Sequence, residues 1–226
     1  VQRVEYRVDG ELIGVATAAP WTCTWTPTVT GPLVAMALAV GTDGTASNSR
    51  GIPFTVEAPV TTKARLHNST DDVVEAFGMA QPPIQNQPQL TLGNDGTPWL
   101  TGLRFQLPDV PPGARIVSAT IDFTAAQTDT LKAHFTVGCE QTPAPRTFQL
   151  RPKDVLARKI GTELAWSPAA WTTDASASAQ RTPDLGALMQ PVVANPGWSH
   201  DVVFVVRGLG VRHAWSWDGN RLVAPL

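Results

Sequence analysis

Residues 102–125, GLRFQLPDVPPGARIVSATIDFTA, decide the fold class of this chain. Apolar and polar residues alternate through Leu103, Phe105 and Leu107, and a Pro-Pro-Gly turn then leads into a second alternating run that reaches Phe123. Alternation with a period of two predicts two half-buried β-strands joined by a tight connection. Because the apolar face of such a pair needs a second sheet to cover it, this stretch predicts the centre of a β-sandwich.

The composition indicates two all-β domains. The 226 residues exceed the usual size of one domain, and a proline-containing junction predicts a short domain over residues 1–59 and a longer one over residues 60–226. Charged residues make up 16% of the chain, against about 25% in an average soluble protein, while glycine, proline, threonine and serine fill the turns. This composition is typical of an extracellular module, so we expect a secreted or cell-surface protein.

Charge and hydropathy argue against two classes of partner. The formal net charge of -2 is spread along the chain without a basic block, which predicts no binding to nucleic acid or to an anionic membrane. No apolar run reaches the roughly 18 residues that a membrane-spanning helix needs.

The two cysteines, Cys23 and Cys139, fall in different predicted domains, and two buried free thiols are favoured over a disulfide.

The sequence of the short domain predicts strands arranged as hairpins. Asp9-Gly10 separates two alternating runs, which is a strong hairpin signal. Further strands are predicted around Trp21, Cys23 and Trp25, over residues 33–40 and over residues 52–56. Through the stretches VEYRVDGELIG, APWTCTWTPT and VAMALAVGTDGTASNS, this segment resembles the bacterial immunoglobulin-like (Ig-like) domains that serve as spacers in secreted polysaccharide-degrading enzymes and adhesins.

The resemblance implies a partial Ig-like sandwich. In such domains about two strands precede the VEYRVDG hairpin, with which this sequence starts. A sandwich without those strands has unpaired edges and an uncovered apolar face. We therefore expect the missing strands to come from further segments of the same chain or from a neighbouring subunit by strand addition.

The sequence of the longer domain predicts several strands and one short helix. The strands are predicted over residues 62–67, 90–92, 131–137, 147–150, 201–207 and 211–217, and helical spacing of apolar residues predicts the helix over residues 184–193. The stretches TGLRFQLPDVPPGARIVSATIDFTA, TPDLGALMQPVVANPGW and GLGVRHAWSWDG resemble the jelly-roll modules related to DNRLRE-type carbohydrate-binding modules. That resemblance implies a jelly-roll β-sandwich and a polysaccharide or glycan as partner.

Charged side chains of the longer domain predict one metal site. Asp71, Asp72 and Glu75 are close in sequence, and Ca²⁺ takes six to eight oxygen ligands, so these carboxylates are the predicted calcium ligands. The alternative is a solvated turn in which Asp71 or Asp72 caps backbone amides. Arg104, inside a predicted central strand, is expected to face outward or to pair with Asp122 across the hairpin.

Three tryptophans predict a sugar-binding surface. Trp215 and Trp217 stand at positions i and i+2 of a predicted strand and would share one sheet face, on which a sugar ring could stack. Trp99 lies in a polar loop and is a third stacking candidate. The predicted polar partners for sugar hydroxyls are Arg212, His213 and Asp218. The alternative is that both rings of the Trp215 and Trp217 pair fill the sandwich core.

These observations favour a non-catalytic function. The leading hypothesis is an extracellular accessory region in which an Ig-like spacer precedes a carbohydrate-binding module. The alternative is a structural surface or filament protein whose subunits assemble through strand addition. The sequence contains no Gly-x-Ser-x-Gly elbow, phosphate-binding glycine loop or His-Glu-x-x-His helix, so we do not expect an enzyme.

Overall fold

The computed structural model describes all 226 residues, which form two compact units, Val1–Val60 and Thr61–Leu226. Both units are built from antiparallel strands, and the chain has one short α-helix, α1 (Gly186–Val193). The all-β class is therefore confirmed. None of the helical segments has the length and apolar character required to cross a membrane.

The first unit contains a single five-stranded sheet, formed by β1 (Arg3–Val8), β2 (Glu11–Ala16), β3 (Gly31–Val40), β4 (Ala46–Asn48) and β5 (Ile52–Val56). The long strand β3 pairs with β1 along one side and with both β4 and β5 along the other. The β1–β2 hairpin turns at Asp9 and Gly10, which have φ values of 48° and 87°. Two positive φ angles match the right-handed twist of the strands, and the predicted hairpin is confirmed.

The segment between β2 and β3 differs from the prediction. The stretch with Trp21, Cys23 and Trp25 is irregular rather than a strand, although its side chains pack against the sheet. The Tyr6 hydroxyl donates to the Trp21 carbonyl, and the Trp25 ring meets the Phe54 ring edge-on with centroids 6.3 Å apart. Prolines near both ends of the segment remove backbone donors that a sheet ladder would need. The alternation of apolar residues in this segment therefore reflects which side chains pack against the sheet, and it does not reflect strand pairing.

The second unit is a β-sandwich with unequal layers. One layer is a five-stranded antiparallel sheet in the order β10-β9-β11-β8-β6, and the other contains the pair β7–β12. Residues 62–67 and 147–150, predicted as strands, are irregular, whereas the predicted helix is confirmed as α1. The strands are β6 (Asp72–Ala76), β7 (Gln89–Gly93), β8 (Trp99–Gln106), β9 (His134–Glu140), β10 (Ile160–Trp166), β11 (Asp201–Leu209) and β12 (Val211–Trp215).

Only the first half of the stretch over residues 102–125 is a strand, β8. In the second half, Ile121, Phe123 and Ala125 are buried as the alternation predicts, but the backbone is paired only through isolated bridges. The Ile121 N–H donates to Thr182 Oγ1 at 2.9 Å, and the Phe123 N–H donates to the Gln180 carbonyl at 3.1 Å. These partners lie outside any strand, so the predicted second central strand is wrong while its buried face is correct.

The five-stranded sheet is covered on both faces. Along β11, Val202, Phe204 and Val206 enter the inner core, and Val203 and Val205 enter a smaller outer cluster. The inner core also receives side chains from β7, α1 and the irregular segments, with the Phe123 and Trp166 rings stacked 5.6 Å apart. Alternating residues of the central strand are thus buried on opposite sides.

The outer cluster is covered by the connection between β9 and β10. Phe148 and Val155 of this connection pack onto the sheet, and a Cβ atom at Gly102 would stand 2.5 Å from the Phe148 ring. The Arg158 guanidinium lies 4.2 Å from the centroid of the same ring. The connection therefore lies directly on the sheet, while parts of β10 and β11 stay exposed.

Candidate functional site

The sheet β7–β12 has one buried and one accessible face. The register pairs Trp215 with Gln89 and His213 with Thr91, and these four side chains are partly exposed. The intervening positions face the core and are buried: Leu90, Leu92, Arg212 and Ala214. The period of two therefore places one tryptophan, one histidine and two polar side chains on the outward face.

Two irregular segments widen this face. Residues 124–129 run beside β12: the Ala126 N–H donates to the His213 carbonyl at 2.8 Å, and the Trp215 N–H donates to the Thr124 carbonyl at 3.0 Å. Residues 171–175 lie next to them, since the Asp174 N–H donates to a carbonyl of the first segment, and Asp129 and Trp171 form a bridge. We call the outward side chains of these four segments the Trp215 surface: Gln89, Thr91, Gln127, Asp129, Asp174, His213 and Trp215.

Hydrogen bonds between neighbouring side chains organise the Trp215 surface. The Trp215 Nε1–H donates to Asp174 Oδ1 at 3.1 Å, which fixes the tilt of the indole ring. The Gln127 amide donates to Gln89 Oε1 at 2.6 Å. Asp174 has a φ of 64°, in the left-handed region where aspartate is one of the tolerated residues. The ring is therefore held by an exposed carboxylate on a neighbouring segment.

His213 and Asp129 form the second polar pair of the surface. Asp129 accepts the backbone N–H of His213 at 2.7 Å, and its carboxylate lies 3.1 Å from His213 Nδ1. Both side chains are largely but not completely buried. The carboxylate thereby orients the imidazole ring beside the indole.

The structure separates Trp217 from Trp215. β12 ends at Trp215, and Trp217 lies in the following turn, where its N–H donates to Asp72 Oδ2 at 2.8 Å. Its ring packs partly against the inner core, with the Arg221 guanidinium 5.0 Å from the ring centroid. The prediction that the two tryptophans share one sheet face is wrong because the strand ends between them.

Trp99 and Asp218 also lie away from the Trp215 surface. Trp99 begins β8 next to the turn that follows Gly93, and its Nε1–H donates to Asp95 Oδ1 at 2.8 Å. Trp215 pairs with the opposite end of β7, four residues or about 13 Å along the strand. Asp218 is exposed and accepts the Ser69 hydroxyl at 2.7 Å. Of the predicted ligand-binding residues, only Trp215 and His213 come together.

Arg212 has a structural role in place of the predicted ligand contact. Its side chain is only 1% exposed, and the guanidinium donates to the carbonyls of Leu131, Pro168, Ala169 and Val211 at 2.7–3.1 Å. Burial lowers the pKa of this guanidinium, opposed by the charge of Asp129. Its position in β12 turns the side chain inward, so it ties irregular segments to the strand and cannot reach a ligand on the outward face.

The predicted calcium ligands do not converge on one point. Asp71 pairs with Arg104 at 2.9 Å, Asp72 accepts the N–H of Trp217, and Glu75 accepts the N–H of Val155 at 2.8 Å. The structure contains no group of three or more His, Cys, Asp or Glu side chains that could hold a metal ion. Since each carboxylate is buried against a different protein donor, the predicted calcium set does not assemble.

Arg104 is buried, contrary to its predicted outward position. It bridges Asp71 and Asp201, each at 2.9 Å, on the outer face of the five-stranded sheet. Asp122, the other predicted partner, pairs with Arg181 instead. Burial raises the pKa of Asp71, although its hydrogen bond to Arg104 opposes that change. A charged side chain within an apolar strand is accommodated here by two carboxylates from distant parts of the sequence.

Asp72 is the most strongly perturbed carboxyl group. Burial raises its pKa to about 7, and the nearby charges of Asp218 and Asp71 act in the same direction. The N–H donated by Trp217 favours the charged form but does not outweigh burial. Asp72 thus holds the turn after β12 against β6 with a carboxyl group that takes up a proton near neutral pH.

Five side chains of the Trp215 surface are not among the predicted site residues: Gln89, Thr91, Gln127, Asp129 and Asp174. Thr91 lies within β7 and carried no separate signal, and the other four stand in or beside irregular stretches without periodicity. The one signal was a Thr-Asp pair in each of the two widening segments, at residues 128–129 and 173–174. Such pairs are common in turns, so they do not reveal which strand a segment lies beside.

Comparison with known proteins agrees with part of the sequence prediction. No curated protein matches the chain. A solved structure of a carbohydrate-binding module from the β-sandwich superfamily is similar over 94% of this chain and 82% of its own, with 10% sequence identity and a TM-score of 0.29, which is too low to support an argument about function. A relation to DNRLRE-type modules stays a prediction. Residues 1–49 match the family model of the bacterial Ig domain, which confirms the Ig-like prediction for that part of the first unit.

Proposed function

We propose that this chain is a non-catalytic, glycan-binding region of a secreted or cell-surface protein. In this proposal the second unit binds the glycan and the Ig-like first unit acts as a spacer. The observation that carries the proposal is the Trp215 surface, where a partly exposed indole is surrounded by carboxylate, amide and imidazole groups.

The surface has the two components that sugar recognition needs. A sugar ring presents C–H groups on one face, which can pack on the indole of Trp215, and hydroxyl groups around its edge. Asp174 can accept a hydroxyl hydrogen, while the amides of Gln89 and Gln127 can both donate and accept. Each hydrogen bond contributes about 0.5–1.5 kcal/mol net, so several are needed for measurable affinity.

The fixed orientation of the indole favours binding. Asp174 holds Trp215 from one side, and the bonds from residues 124–129 hold the backbone of β12. Immobilising a side chain on binding costs about 0.5–1.5 kcal/mol, and much of this cost is already met in the free protein. Equilibrium binding at such a surface requires neither a deep cleft nor a group that transfers a proton.

The test is affinity electrophoresis and calorimetry against a panel of soluble polysaccharides. We expect binding to at least one polysaccharide and a loss of at least about tenfold in affinity for Trp215→Ala. Trp99→Ala is the matched control because it removes an indole at the far end of β7 and should keep the affinity. Absence of binding to the whole panel, or equal losses in both variants, would refute the assignment to the Trp215 surface.

The edge of the first unit supports the alternative function, assembly through strand addition. β2 stands at the end of its sheet with one free side, and Leu12 and Val15 on it are 52% and 47% exposed. The strand has neither proline nor lysine, the residues that commonly protect an edge strand. Light scattering over a concentration series tests this candidate. Growth of the mass with concentration would favour assembly, and a constant monomer mass would contradict it.

A further inference from the structure

We propose that the Trp215 surface selects neutral glycans and rejects glycans that carry carboxylate or sulfate groups. This inference rests on the proposed glycan-binding function and adds the chemical class of the ligand. It follows from the charges that the four segments of the surface present and from the position of one carboxylate beside the indole.

The outward face has negative side chains and no permanent positive ones. β7, residues 124–129 and residues 171–175 contain no lysine or arginine, and β12 contains only Arg212. The Arg212 guanidinium is turned to backbone carbonyls on the inner side and is buried. Of the two carboxylates on these segments, Asp174 is exposed, whereas the Asp129 side chain is largely buried and contacts His213. Recognition of sugar carboxylates or sulfates commonly uses arginine or lysine, and this surface offers neither.

Asp174 stands where a stacked sugar would meet it. Its Oδ1 accepts the indole N–H of Trp215, so the carboxylate is at the edge of the stacking platform, and the residue is exposed. Its Oδ2 has no hydrogen-bond partner in the protein, which leaves one oxygen to accept a hydroxyl from a ring on the indole. A carboxylate or sulfate of the glycan at the same place would face a like charge.

Asp129 adds a second carboxylate, which also disfavours an anionic glycan on this surface. It lies on the other side of β12 from β7 and orients His213 through the Nδ1 contact of 3.1 Å. Asp174 is therefore the exposed negative charge beside the indole, and Asp129 adds a largely buried one behind His213.

The experiment compares neutral and anionic polysaccharides with the whole chain. The neutral probes are soluble β-glucan, xylan, galactomannan and hydroxyethylcellulose, and the anionic probes are polygalacturonate, alginate, dextran sulfate and carboxymethylcellulose. Affinity is measured at pH 8 in 20 mM and 150 mM NaCl, on the order of 20 Å and 8 Å of Debye length. We expect at least tenfold tighter binding to the best neutral probe than to any anionic probe, with a larger ratio at low salt.

Asp174→Asn separates charge from structure. The asparagine Oδ1 can still accept the Trp215 N–H, so the indole keeps its orientation while one negative charge is lost. We expect the ratio of hydroxyethylcellulose affinity to carboxymethylcellulose affinity to fall at least threefold in this variant at low salt, because the like charge that a carboxymethyl group would meet is gone. An unchanged neutral-to-anionic ratio in the variant would overturn the role of this carboxylate.

The outcomes distinguish this inference from the proposed function. Tight binding of an anionic probe that is lost in Trp215→Ala would overturn the neutral-glycan inference and leave glycan binding in place. Failure of all eight probes would overturn both. Preference for neutral probes, together with the shift in Asp174→Asn, would support both.

Discussion

Replacing Asp72 with asparagine should stabilise the second unit at high pH. Asp72 is 3% exposed, and its pKa is raised to about 7 by burial and by the charges of Asp218 and Asp71. In the unfolded chain the carboxyl group has its ordinary pKa of 3.8. Between these two values the folded protein binds a proton that the unfolded chain has released. The free energy of unfolding therefore falls as the pH rises from about 4 to 7 and levels off above that range.

The size of the effect follows from the two pKa values. The interval between 3.8 and about 7 corresponds to about 4 kcal/mol at about 1.4 kcal/mol per pH unit. This is an upper figure, because the surrounding groups can rearrange around the charged carboxylate in the folded protein. Asparagine at position 72 carries no charge and can still accept the N–H of Trp217. We expect Asp72→Asn to be about 2–4 kcal/mol more stable than the wild type at pH 8 and of similar stability at pH 4.

Urea unfolding followed by tryptophan fluorescence at pH 4, 5, 6, 7 and 8 measures this difference. The comparison must be between variant and wild type at each pH, because other carboxylates act in the opposite sense. For Asp154, burial alone would raise the pKa, but hydrogen bonds from Gln149, Arg151 and Arg158 outweigh it and lower the pKa. Asp218→Asn is the control. It removes a charge that raises the pKa of Asp72, so its stability should differ from that of the wild type by a smaller amount of the same sign. A difference between Asp72→Asn and wild type that is independent of pH would refute the reasoning.

Two further substitutions test the polar contacts on the outer face of the five-stranded sheet. Arg104→Met removes the guanidinium between the buried Asp71 and the partly exposed Asp201 and should cost about 3–5 kcal/mol in urea unfolding at pH 7, whereas Arg181→Met, at an exposed pair, should cost under about 1 kcal/mol. Equal losses would contradict the buried network. Glu75→Ala removes the acceptor of the Val155 N–H and should cost about 1–3 kcal/mol while speeding tryptic cleavage within residues 147–158. Unchanged cleavage would show that this carboxylate does not hold the segment.

Periodicity in the sequence predicted burial better than it predicted pairing. The hairpin at Asp9-Gly10 was predicted from local backbone preferences and helix α1 from the spacing of its apolar residues, and both are found in the structure. The alternation around Phe123 reflects which side chains enter the core, but the hydrogen-bond partners of that segment come from residues about 60 positions away. Strand β10 (Ile160–Trp166) has little alternation and was not predicted. It is a strand because it pairs with β9, which local sequence does not reveal.

The candidate site could be predicted only in part for a related reason. Trp215 and His213 were accessible to the alternation argument because they lie in one strand with a clear register. Asp129 and Asp174 join them through segments whose neighbours are fixed by tertiary structure. Arg104 illustrates the opposite error, since a charge in an apolar strand normally faces water. Its two carboxylate partners could not be paired with it from local sequence.

The burial of β11 (Asp201–Leu209) on both faces has a consequence for refolding. To satisfy two apolar environments, the strand carries the uninterrupted run VVFVV, residues 202–206, which combines high β-propensity with no charge. Such a run is prone to intermolecular stacking when it is exposed. In the native protein β8 and β9 occupy both of its edges, and Asp201 and Arg207 flank the run as charged gatekeepers. Recovery after thermal unfolding should therefore decline as protein concentration rises, because aggregation competes with the return of this strand to the sheet centre.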